Sequence, residues 1–132
     1  MPPLLSERSP VAQIFFVVLV PAAYGAGTGL ALGSSKSLYT ILTLLSVIGG
    51  VLAGIDHADG GEAFRRGAVG GLVFGSFILI AHRATGDYAR TTLPDPQEVL
   101  AVVTMIGGGV LAWVGAAIFS PRRTGGAGAE QR

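Results

Sequence analysis

The sequence predicts an all-α membrane protein, in which four transmembrane helices form a bundle through glycine-rich packing faces. Three observations support this fold class. Charged residues make up 13% of the 132-residue chain, whereas a soluble domain carries about 25%. These charges lie mainly between four long apolar segments, and the mean hydropathy is +0.60, a pattern typical of a chain that crosses a membrane several times. Many of the 21 glycines recur at helical spacing within the apolar segments.

The four predicted spans cover residues 11–33, 38–55, 64–82 and 99–119. A helix that crosses a hydrocarbon core of ~30 Å needs about 20 residues, so the first and fourth segments are long enough and the second is slightly short. The third has the shortest uncharged part, residues 67–81, because charged residues bound it on both sides, but arginine stems can snorkel to the interface. A cleaved signal peptide is the alternative for the first segment. It is disfavoured because the apolar stretch continues to Gly33.

The connections are two tight turns and one longer loop. Residues 34–37 join the first two spans, and residues 56–62 form a second turn that is rich in glycine and acid. In the loop of residues 83–98, Pro94 and Pro96 prevent a helix before the fourth span. Within the first span, Pro21 removes a backbone donor and predicts a kink over residues 17–20.

The distribution of basic residues predicts how the chain is oriented in the membrane. With four spans, the two termini and the second turn share one side, and that side holds Arg8, Arg65, Arg66, Arg122, Arg123 and Arg132. The other side holds Lys36, Arg83 and Arg90. The positive-inside rule therefore places both termini in the cytoplasm, with the protein in the plasma (inner) membrane. Residues 1–10 are a predicted cytoplasmic segment, and the glycine-rich residues 120–132 a predicted disordered cytoplasmic tail.

Each predicted helix carries a row of small residues. The rows are Gly25, Gly29 and Gly33; Gly50 and Gly54; Gly67, Gly71 and Gly75; and Gly108, Ala112 and Ala116. Apolar helices in lipid associate by packing, and small residues let their backbones approach closely. The rows therefore predict close helix packing, and they are also candidate contacts for a homo-oligomer.

The turn before the third span carries the candidate chemistry. Its polar residues are Asp56, His57, Asp59, Glu62, Arg65 and Arg66. Divalent cations accept carboxylate and imidazole ligands, but the spacing matches no zinc or EF-hand pattern. The favoured interpretation is a solvated turn whose acids pair with the arginines, and in which Asp59 or Glu62 caps the third helix. No metal and no cofactor are predicted.

The residues from Asp56 to Arg65 resemble the opening of the CDP-alcohol phosphotransferase motif. That motif starts with two aspartates three residues apart, continues with glycine and alanine-arginine, and ends with a glycine and two further aspartates. The resemblance implies carboxylates that hold metal ions on a diphosphate. Here Phe64 stands in the place of the arginine, and Leu79 and Arg83 stand where the second pair of acids is needed. An enzyme of lipid head-group chemistry that uses Asp56 and Asp59 is therefore a remote alternative.

The remaining patterns favour a non-enzymatic role. The chain has no cysteine for a disulfide or a thiolate site, its two histidines lie at opposite ends of the third span, and its net charge of +1 indicates no nucleic-acid surface. No ionisable residue lies at mid-membrane, which disfavours proton-coupled transport. We expect a small structural or accessory subunit, or a self-associating membrane module, whose partners are the lipid bilayer and other membrane proteins or further copies of itself. A small oligomeric channel lined by glycine backbone and hydroxyl groups is the alternative.

Overall fold

The computed structural model describes residues 7–55, 57, 59–86, 88–89 and 92–130, with residues 120–130 described by their backbone alone. The regular structure of this part is entirely helical. Helix α1 spans Pro10–Ser34, α2 spans Lys36–Gly54, α3 spans Gly60–Thr85 and α4 spans Val99–Glu130. Each helix is long and apolar enough to cross a membrane, α4 through its Val99–Phe119 part. The predicted all-α class with four membrane-length helices is confirmed.

Side-chain caps fix where three of the helices begin. Ser9 accepts a hydrogen bond from the backbone N–H of Ala12 at 3.3 Å, Ser35 from that of Leu38 at 3.3 Å, and Asp59 from that of Glu62 at 3.1 Å. The first N–H groups of a helix have no partner within it, and a capping oxygen satisfies one of them. At the other end of α3, Gly86 has φ +70°, the left-handed conformation that favours glycine after a helix.

The helix bounds differ from the predicted spans mainly in α3 and α4. Helix α3 runs over Gly60–Thr85, because the Asp59 cap sets its start and Gly86 ends it. The predicted span of residues 64–82 is shorter because it is drawn from the apolar residues alone. Helix α4 continues to Glu130 through most of the segment predicted to be a disordered tail. Adding a turn to an existing helix needs no new nucleus, although Gly125, Gly126 and Gly128 are weak helix formers.

Helix α1 is irregular ahead of Pro21. Residues Phe15–Leu19 form a π-helical turn, in which the N–H of Val20 bonds to the carbonyl of Phe15. Proline lacks the N–H for the next hydrogen bond, and its ring would clash with the carbonyl four residues earlier in a regular helix. A π-helical turn is one way to accommodate this strain. It lies where the sequence predicts a kink.

Helices α3 and α4 form the central pair of the molecule, and α1 and α2 pack on this pair. Helix α3 lies between α1 and α4, and α2 packs mainly on α4 and also contacts α1. Helices α1 and α3 run parallel, since Gly25 faces Phe74 and Gly29 faces Ile78, while α3 and α4 run antiparallel. One end of the molecule, called here the arginine end, therefore contains the start of α1, the turn between α2 and α3, and Arg65 and Arg66. The opposite end, called the loop end, contains Ser35 and residues 86, 88–89 and 92–98.

Candidate functional site

Three features are candidates for function: the contacts between helices, the outer face of α2 and the polar group at the arginine end. The most extensive helix contact is between α3 and α4. A Cβ atom at Gly67 would overlap the backbone carbonyl of Gly108, and one at Gly71 would overlap that of Thr104. Gly75 lies against the Thr104 side chain and the Ala101 backbone. Backbone atoms cannot move aside as a flexible side chain can, so this contact requires glycine on α3.

Helices α1 and α3 meet in the same way. A Cβ atom at Gly25 would overlap the carbonyl of Phe74, and one at Gly29 that of Ile78. Gly33, the third residue of the row, is buried. Around these glycines lies a core cluster of Leu32, Phe74 and Ile78.

Helix α4 uses a second face against α2. A Cβ atom at Gly54 would overlap the carbonyl of Ala112 and approach Ala116, and both of these alanines are buried. Gly115, which lies outside the predicted row, faces the carbonyl of Val51. Gly50 contacts only the side chain of Leu111, which can adjust. Ala112 thus contributes to both faces of α4, because its Cβ lies beside Gly67.

Tyr24 of α1 contacts both α2 and α3, and no pattern in the sequence predicts these contacts. Its hydroxyl donates a hydrogen bond across to the carbonyl of Leu42 on α2, at 2.7 Å. Its ring stacks on Phe74 of α3, with 5.8 Å between the ring centroids. A tyrosine inside an apolar span needs a partner for its hydroxyl, and that requirement is the signal that points to such a contact.

The outer face of α2 is largely uncovered. Of an apolar 18-residue stretch of α2, 6% is buried, against 22–28% of the corresponding stretches of the other three helices. Seven large aliphatic side chains of α2 are exposed, Leu44 and Val47 among them. The other five recur at alternating spacings of three and four, namely Leu38, Ile41, Leu45, Ile48 and Leu52. We call this set the α2 seam. Beside it, a Cβ atom at Gly49 would meet no described atom within 4 Å.

The polar turn at the arginine end is shaped by hydrogen bonds to the backbone. Asp59 caps α3, as described above. His57 is 4% exposed, and its Nδ1 lies 3.1 Å from the carbonyl of Ala53. A carbonyl only accepts, so Nδ1 carries the proton and Nε2 is left without a described partner. Asp56 lies outside the described residues. Among those described, no three histidine, aspartate or glutamate side chains lie close enough to hold a metal ion.

Arg66 bonds to a residue of α1. Its Nη2 donates to Oε1 of Gln13 at 3.1 Å, and Nε2 of Gln13 donates to the carbonyl of Arg8 at 3.0 Å. Both ends of the Gln13 amide are therefore engaged, which fixes its orientation and holds the half-buried guanidinium. No pattern in the sequence predicts this bond, which joins residues 53 positions apart.

A groove opens beside this bond, between the π-helical turn of α1 and the first turns of α3. It has a volume of about 420 Å³ and is lined by Val17, Glu62, Arg65, Arg66 and Val69. We call it the arginine groove. Its charged residues come from the predicted polar turn, whereas Val17 and Val69 come from the apolar spans. The groove therefore joins charged and apolar surface.

Three threonine hydroxyl groups within the spans bond to their own helices. Thr28 donates to Tyr24 O, Thr43 to Tyr39 O and Thr104 to Leu100 O, at 2.8–3.0 Å. This back-bonding is common for threonine in helices. The three hydroxyl donors are therefore already used. They would not be available to line a polar pore within one subunit.

At the loop end, Nη2 of Arg83 lies 2.6 Å from Oε1 of Glu98. The hydrogen bond from Arg83 lowers the pKa of Glu98 below its ordinary value. This pair joins the end of α3 to the residue before α4, and both side chains are exposed.

Comparison with protein-family models, curated proteins and solved structures finds no match to this chain.

Proposed function

We propose that this protein is a small, non-enzymatic membrane subunit that associates with a second copy of itself through the outer face of α2. In this proposal the four helices form a closely packed bundle in the plasma (inner) membrane with both termini in the cytoplasm. The glycine rows hold the subunit together, which leaves α2 to bind the partner.

The observation that carries the proposal is the α2 seam. Alternating spacings of three and four place its five side chains on one stripe of the helix. This is the pattern of two helices that pack at a shallow angle with interdigitating side chains. Lipid-facing surfaces need no such regularity, since any apolar side chain satisfies the hydrocarbon.

The same seam favours a second copy as the partner. In a two-fold symmetric contact the same residues face one another, and a purely aliphatic stripe presents no charge that would repel its copy. Gly49, with no described neighbour, lies beside the stripe. Glycine lowers the stability of a helix by about 1 kcal/mol relative to alanine. Its presence here is explained if a partner helix approaches closely at this position, where a side chain would prevent the contact.

Cross-linking tests this interface directly, because the natural chain has no cysteine. Ile48→Cys on the seam and Ile80→Cys on α3 form a matched pair, with exposures of 56% and 57%. Oxidation in native membranes should give a disulfide-linked dimer of the Ile48→Cys protein and not of the Ile80→Cys protein. Equal cross-linking of both variants would indicate random collision and contradict the seam.

Native mass spectrometry from lipid nanodiscs supplies the second measurement. The unmodified protein should give the mass of a dimer, and Leu45→Ala with Leu52→Ala should shift it toward monomer, while Ile80→Ala should not. A complex with a different protein would indicate an accessory subunit of that complex. A lone monomer under all conditions would overturn both forms of the proposal.

A further inference from the structure

We propose that the arginine groove is a binding site for one phospholipid with an anionic head group. Its charged rim consists of Arg65, Arg66 and Glu62, two positive charges and one negative, which gives a net charge of +1. A phosphodiester carries one negative charge. The groove thus matches the charge of a lipid phosphate, and the site is separate from the α2 seam.

The rim has donors available for that phosphate. A guanidinium group carries five N–H donors in a planar fork that suits phosphate oxygens. The Gln13 bond engages Nη2 of Arg66 and leaves other donors of this group available. Arg65 is exposed and lies one residue earlier on the same turn of α3. Two adjacent guanidinium groups, one of them held in place, form a preorganised anion site.

The apolar side of the groove indicates a lipid and not a free anion. Val69 lies one turn beyond Arg65 and Arg66, and Ile80 lies three turns further along the same face of α3. Both side chains are exposed. Because α3 is long and apolar enough to span a membrane, acyl chains can lie along this face while the phosphate contacts the arginines. Basic pockets between membrane helices recognise lipid head groups in this way.

The experiment is lipid competition on the full-length protein. The detergent-purified protein is mixed with equal amounts of phosphatidylglycerol and phosphatidylcholine, and the bound lipids are counted by native mass spectrometry. We expect phosphatidylglycerol to be retained preferentially. Removing one arginine charge, in Arg65→Gln or Arg66→Gln, should weaken this preference about fivefold. Arg83→Gln, at the loop end, is the matched control and should leave the preference unchanged.

Four further measurements test the proposal. Gln13→Leu keeps both charges but frees Arg66, so it should weaken binding less than Arg66→Gln. Glu62→Gln should strengthen phosphatidylglycerol binding. A loss of phosphatidylcholine binding in this variant, without that gain, would show that Glu62 holds an ammonium head group and would overturn the proposal. Excess inorganic phosphate should not displace the lipid; displacement would assign the site to a soluble anion. Unchanged lipid preference in a folded Arg65→Gln/Arg66→Gln double variant would also overturn it.

Discussion

Several polar side chains within the spans make specific hydrogen bonds. Threonines bond to their own helix, Gln13 holds Arg66, and Tyr24 reaches another helix. Since an unpaired polar group in hydrocarbon costs several kcal/mol by order of magnitude, the residues whose bond crosses between helices are the ones whose loss should change helix association.

Replacement of Tyr24 by phenylalanine tests one such bond. The change removes the hydroxyl bonded to Leu42 O and keeps the ring stacked on Phe74. We expect a loss of about 0.6 kcal/mol in the free energy of unfolding, the average for a hydrogen bond between membrane helices. Equilibrium unfolding in mixed micelles measures it. Tyr39→Phe is the control, because Tyr39 packs against the same core cluster and its hydroxyl makes no hydrogen bond to a described residue. An equal loss in both variants would contradict the assignment.

The ion pair at the loop end predicts a pH dependence. The hydrogen bond from Arg83 lowers the pKa of Glu98 in the folded state below the ordinary 4.5. The stabilising contribution of Glu98 is therefore fully present above about pH 4.5 and is lost as the pH falls through the lowered pKa. A carboxyl titration of Glu98 by NMR in micelles should show the lowered value, and Arg83→Gln should return it toward the ordinary one. High salt should weaken the shift, because both groups are exposed.

At the scale of helices, glycine has two different roles that sequence spacing does not separate. Gly71 faces the Thr104 carbonyl, whereas a Cβ atom at Gly27 would meet no described atom within 4 Å. Gly71→Ala should destabilise the protein by about 1–3 kcal/mol, the cost of overpacking a tight contact. Gly27→Ala should be neutral or stabilise it by up to about 1 kcal/mol, since alanine is the better helix former.

Unfolding of both alanine variants, measured in the same detergent, compares these effects. The contrast matters more than either value, because each variant adds one methyl group to a glycine within an apolar helix. A Gly71→Ala protein as stable as the unmodified one would show that α3 and α4 are not in backbone contact.

The sequence predicts where the helices lie along the chain better than it predicts which helices contact one another. Apolar length is enough to find four spans, and a proline is enough to place the irregularity of α1. Spacing alone cannot assign the glycines, because Gly107 and Gly108 are adjacent and only Gly108 contacts α3. The Gln13–Arg66 bond joins residues 53 positions apart. Such a pair depends on which helices become neighbours, and that is a property of the packing.

For the whole molecule, the distribution of arginine and lysine determines the proposed orientation. The arginine end carries Arg8, Arg65 and Arg66, and the loop end carries Lys36 and Arg83. Since basic residues in short connections are retained on the cytoplasmic side, the arginine end should face the cytoplasm. An anionic inner leaflet would then lie beside the arginine groove.

Single cysteines report this orientation in intact cells, because the natural chain has none. Glu7→Cys lies at the arginine end and Thr92→Cys at the loop end, and both positions are exposed. A maleimide that does not cross membranes should label Thr92→Cys in intact cells and Glu7→Cys only after permeabilisation, since the bilayer separates the two ends. The reverse pattern would invert the proposed orientation. Labelling of both in intact cells would mean that α1, α2 and α3 together do not place the two ends on opposite sides of the membrane.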